Sequence, residues 1–114
     1  MFDLKTVFTA LNETQRNQVA SYVDNNRKVS KPVAVAGWYR RKPCIWTAWV
    51  IPTDWHSGRS MFIILAKPGR GRGGSVTART CTRAILAHYA NANGMAVVDA
   101  AYDQAQKSGE PIRV

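Results

Sequence analysis

Acidic residues are scarce in this chain: seven Asp and Glu stand against sixteen Lys and Arg among 114 residues, a formal net charge of +9. Cysteine is scarcer still. Cys44 and Cys81, one in a strand-like and one in a helix-like segment, read as small buried apolar residues rather than as a disulfide or a metal site. No apolar run approaches the ~18–20 residues of a membrane span, and Met1-Phe2-Asp3-Leu4-Lys5 lacks the architecture of a signal peptide. The expectation is a cytoplasmic chain with no membrane partner and no metal. Disorder is excluded by the 46% hydrophobic content and the four tryptophans. There is no internal repeat and no domain boundary, so residues 1–114 are expected to form one domain.

The positive charge is concentrated. Twelve of the sixteen basic residues lie between Arg27 and Arg83, where Asp54 alone is acidic, while the two ends together carry four basic and six acidic residues. Such segregation favours a polyanionic partner: a nucleic acid, a phosphorylated cofactor or an acidic protein surface.

The spacing of Leu4, Val7, Phe8 and Leu11 predicts a first helix. Asn12 followed by Gln15 resembles a capping box, which predicts a second helix from Glu13 to about Asn26 with Val19, Tyr22 and Val23 inward. Val33 to Tyr39 and Cys44 to Ile51 read as strands joined by a hairpin tip at Arg40-Arg41-Lys42-Pro43, and Ser60 to Ala66 reads as a third strand. From Ser75 to Ala92 the apolar spacing predicts a helix with Ala78, Cys81, Ile85, Tyr89 and Ala92 on one face and Arg79 and Arg83 on nearly the opposite one. Asn91-Ala92-Asn93-Gly94 reads as its C-terminal stop, followed by a short strand from Met95 and a short helix around Ala100–Ala105.

Between the third strand and that helix lies Lys67-Pro68-Gly69-Arg70-Gly71-Arg72-Gly73-Gly74-Ser75. A glycine-rich turn that opens a helix offers unpaired N–H groups at the positive end of the helix dipole, which is a phosphate-binding arrangement. Arg/Gly runs are equally suited to sequence-tolerant nucleic-acid binding.

With this order of elements the sequence resembles the GNAT N-acyltransferases, whose pyrophosphate loop is approximated by Pro68, Arg70, Gly71 and Gly73, with Ala90 and Gly94 matching the close of the central helix. The resemblance implies an α/β (α+β) fold with a mostly antiparallel sheet flanked by helices, in the order α-α-β-β-β-loop-α-β-α, and strands splayed around a pantetheine-sized cleft. It implies acetyl-CoA as cofactor and an amine as acceptor. Backbone amides of Arg70, Gly71, Arg72, Gly73, Gly74 and Ser75 would hold the pyrophosphate, and a strand N–H near Ile64 or Leu65 would polarise the acyl carbonyl. His56 and Asp54 are the candidate bases, and Tyr102 the candidate acid for the departing thiolate.

Two non-enzymatic readings compete. Trp38 and Tyr39 precede Arg40, Arg41 and Lys42, an aromatic and basic mixture suited to stacking on bases and neutralising phosphates, with Arg79 and Arg83 as further cations. A small inhibitor or adaptor would set the same basic face against an acidic protein surface. Composition does not separate the three.

Overall fold

Polar side chains start the two N-terminal helices. The Asp3 carboxylate accepts the Thr6 N–H at 2.7 Å and opens α1 (Leu4–Ala10). Asn12 and Gln15 form the reciprocal capping box that the sequence predicts, at 2.8 and 3.1 Å, and open α2 (Glu13–Asp24). The computed structural model describes residues 3–54, 59–71 and 73–114, with Asp54 described in its backbone alone.

A two-residue strand β1 (Lys28–Val29) follows, and then a four-stranded meander: β2 (Val33–Tyr39), β3 (Lys42–Asp54), β4 (Ser60–Pro68) and β5 (Val76–Thr82). Each strand pairs antiparallel with the next, in the order β2-β3-β4-β5. A single 3-10 turn (Leu86–His88) leads into α3 (Ala92–Ser108), and β6 (Glu110–Pro111) closes the chain against β1. No described helix is long and apolar enough to cross a membrane.

Strand alternation divides the sheet into two apolar faces. Val35, Trp46, Ala48, Val50, Met61, Ile63, Leu65 and Cys81 point to one side, where Leu86 of the 3-10 turn and Val98, Ala101 and Tyr102 of α3 cover them. Trp49, Ile51, Phe62, Ile64 and Ala66 point to the other, under Val7, Leu11 and Val19 of the N-terminal helices. No residue of β2 belongs to this second cluster, so the corresponding face of β2 remains open.

The fold is thus α+β, with an antiparallel sheet flanked by helices, but its second half differs from the expected order. Residues 76–82, expected in a helix, form β5, and residues 95–101, expected to begin as a strand, lie within α3. The sequence Val76-Thr77-Ala78-Arg79-Thr80-Cys81-Thr82 is rich in β-branched residues and pairs with β4 over its whole length. Asn91, read as part of a helix stop, is instead the N-cap of α3, its side chain accepting the Gly94 N–H at 2.8 Å.

After β5 the chain crosses the sheet and docks on the edge strand β2, with Trp38 N–H donating to the Tyr89 carbonyl and Asn91 N–H to the Ala36 carbonyl, both at 3.0 Å. Glycine makes this approach possible. A Cβ on Gly37 would lie 1.8 Å from the Tyr89 carbonyl oxygen, and one on Gly94 would lie 2.3 Å from that of Ala36. Gly37→Ala is therefore expected to cost on the order of 1–3 kcal/mol of overpacking, visible as a lowered Tm in a thermal melt. An unchanged Tm would contradict the docking described.

Candidate nucleic-acid interface

In the meander, the β2–β3 and β4–β5 turns lie at one end of the sheet and the β3–β4 connection at the other. The Arg40-Arg41-Lys42 tip and the Gly/Arg loop, separate in sequence, are therefore neighbours. With strands about 4.8 Å apart, the midlines of the two hairpins lie about 10 Å from each other. That is close to the Debye length of about 8–10 Å at physiological salt, so the fields of the two basic clusters overlap.

The tip is built under strain. Tyr39 pairs with Lys42, leaving a two-residue turn in which Arg40 and Arg41 have φ of 50° and 68°. Consecutive left-handed residues are the mark of a type I′ turn, normally filled by Asn-Gly. Both arginine side chains are exposed. In the second loop Gly73 and Gly74 supply positive φ, at 76° and 78°, and Gly69 N–H donates to the Ser75 carbonyl at 2.8 Å.

Tyr39 gathers the cations between the two loops. Its hydroxyl accepts from Arg79 Nη2 at 3.2 Å, Lys67 Nζ lies 4.9 Å from its ring centre, and the guanidinium carbons of Arg40 and Arg79 lie at 5.3 and 5.4 Å. The Arg79 hydrogen bond, reinforced by the charges of Arg40 and Arg79, draws the Tyr39 phenol below the usual tyrosine range. The described salt bridges join Arg59 and Arg83 to Asp99 and Asp103, and none involves Arg40, Arg41, Lys42, Lys67, Arg70 or Arg79.

Beside the tip, a concavity of about 590 Å³ lies between the β2–β3 turn and the crossover, lined by Trp38, Arg40, Arg41, Pro43, His88 and Asn91. Trp38 is 40% exposed, yet its indole is held in place by donation from Nε1 to the His88 carbonyl at 2.9 Å. A second concavity of about 410 Å³, lined by Asn25, Asn26, Arg27, Lys28, Pro52 and Gln106, has no aromatic wall.

The other residues singled out in the sequence are dispersed. Arg83 projects from no helix: it donates to both carboxylate oxygens of Asp99, at 2.8 and 3.0 Å, and holds Asp99 below the usual carboxylate range. Arg79 sits on β5, not on a helix. The Gly/Arg loop opens a strand, so no helix dipole stands behind Arg70, Gly71, Gly73, Gly74 and Ser75; Arg72 and His56 lie outside the described residues. Ile64 and Leu65 are fully buried on opposite faces of β4, each paired in register with both β3 and β5, and no cleft parts β4 from β5 there. Asp54 ends β3 at the far end of the sheet from that loop, a separation of about 26 Å along β4. Tyr102 is buried in α3, its hydroxyl accepting from Gln106 Nε2 at 2.9 Å. Burial pushes the Cys81 thiol up to about 12 and raises that of Cys44 as well.

Replacing Arg40 by Asn and Arg41 by Gly suits the turn better than the native pair does. The double variant is expected to gain about 1–2 kcal/mol of stability, read as a higher Tm by calorimetry. A lower Tm would mean that the two arginines make folded-state contacts outweighing their backbone strain.

No protein-family model, no curated protein sequence and no solved structure matches this chain.

Proposed function

We propose that this protein is a non-enzymatic nucleic-acid-binding domain that grips the phosphate backbone with the basic end of its sheet. The observation that carries this reading is the convergence of Arg40, Arg41 and Lys42 with Lys67 and Arg70 at one end of the meander, with no described carboxylate paired to any of them. Strain supports it independently. Two arginines occupy left-handed positions that Asn-Gly would fill at lower energy, and an outlier of that kind is retained where the side chains have work to do outside the fold.

The acyl-CoA reading draws on the same loop but finds less support. It calls for a helix after Ser75, where β5 runs, and for a base near the acyl group, whereas Asp54 ends β3 at the end of the sheet away from the Gly/Arg loop. An acidic protein partner would meet the same cations, yet the exposed, fixed indole of Trp38 beside Arg40 and Arg41 favours a ligand with both phosphates and planar bases.

Salt dependence tests the proposal. Each phosphate contact contributes about 0.9 to the slope of log K against log salt on duplex and about 0.7 on single strands. Alanine at Arg40, Arg41 and Lys42 is expected to flatten the slope by about one unit per lost contact. Alanine at Lys67 and Arg70 should flatten it further on the same oligonucleotide. Binding that is absent at low salt, or slopes indifferent to both sets, would overturn the proposal. Saturable CoA binding abolished by Gly73→Glu would favour the acyl-CoA reading instead.

A further inference from the structure

We infer that the concavity at Trp38 is a base-stacking subsite, which makes unpaired single strands the preferred form of nucleic acid. The inference rests on the nucleic-acid reading above and adds to it the class of ligand. Phosphate contacts alone give no preference for unpaired strands; an exposed aromatic face does, because a base in a duplex already spends its faces on its neighbours.

Trp38 has the properties of a stacking platform. It faces the side of β2 that the N-terminal helices leave open. Its position is fixed three times: the indole N–H donates to the His88 carbonyl at 2.9 Å, the backbone N–H to the Tyr89 carbonyl at 3.0 Å, and its own carbonyl accepts from Trp46 Nε1 at 3.3 Å. The residue nevertheless remains 40% exposed, so its ordering is complete before a ligand arrives.

The surroundings suit one nucleotide. The space of about 590 Å³ lies within the range of about 300–1,000 Å³ typical of small-ligand sites. Pro43 pairs with Trp38 across β2 and β3, and Arg40 and Arg41 line the same space, where they would meet the phosphates flanking a stacked base. Beyond the pocket the open face continues to Ile45, 60% exposed and paired in register with Ala36, a second apolar surface for the next base.

The test compares oligo(dT) with a duplex of oligo(dA) and oligo(dT) of equal length, using the full chain with Trp38→Ala and Trp38→Phe. Stacking of a base on an aromatic side chain corresponds to roughly a 5- to 150-fold change in affinity. Trp38→Ala is expected to lose that much on oligo(dT) and almost nothing on the duplex. Trp38→Phe, which keeps an aromatic face but not the N–H, is expected to remain within a few-fold of the native chain. Binding of oligo(dT) should also quench tryptophan fluorescence in the native chain and do so far less in Trp38→Phe, a readout that stands even if the alanine variant fails to fold. Equal losses on both probes, equal losses in both variants, or quenching that persists in Trp38→Phe would overturn the subsite. Failure of the native chain to bind either probe at low salt would instead remove the nucleic-acid reading beneath it.

Discussion

Alternate turns of an antiparallel meander return to the same end of the sheet, and the electrostatics of this molecule follow from that parity. With four strands in sequential order, the first and third turns share an end, and those are the two connections that carry Arg40, Arg41, Lys42 and Arg70. Had residues 76–82 formed a helix, the Gly/Arg loop would have opened away from the sheet and the two basic segments would have remained independent. β5 holds them together: it pairs with β4 from Phe62↔Thr82 to Pro68↔Val76 and places Arg79 within reach of Tyr39.

Gathering like charges works against folding, and the molecule compensates away from the basic end. Asp99 and Asp103 of α3 take up Arg59 and Arg83, cations that are consequently committed within the fold. Asp3 caps α1 and Glu13 lies in the first turn of α2, where each complements a helix dipole. The tip cations have Tyr39 among them, whose ring and hydroxyl moderate their repulsion without neutralising them. An uncompensated field of this kind is stable enough to fold against and strong enough to attract a polyanion.

The first two-thirds of the fold was legible in the sequence because local signals there agree with the tertiary structure. The Asn12–Gln15 capping box and the strand from Val33 to Tyr39 stand where residue chemistry puts them, and the hairpin expected at Arg40-Arg41-Lys42-Pro43 is present but tighter, with Lys42 and Pro43 already paired in β3. The rest was misread for identifiable reasons. Ala78, Cys81, Ile85 and Tyr89 have helical spacing, but Cys81 lies in the core from a strand, and Thr77, Thr80 and Thr82 were the better guide. Asn91 and Gly94 serve a helix start as readily as a stop: Gly94 is small because α3 presses on β2, a contact that no local pattern encodes. Likewise the residue types of the basic site were visible, whereas their convergence depends on the strand pairing. The pocket beside Trp38 had no sequence signal beyond the aromatic itself, since His88 and Asn91, which complete its lining, lie about fifty residues along the chain.

One titration tests the convergence itself. In amide chemical-shift mapping with oligo(dT), the resonances of Arg40, Arg41 and Lys42 and those of Gly69, Gly71, Gly73 and Gly74 should move together along a single binding curve. Thr53 and Ser60, at the opposite end of the sheet, should stay in place. Shifts confined to one of the two loops, or centred on α1 and α2, would contradict a single basic interface built by the meander.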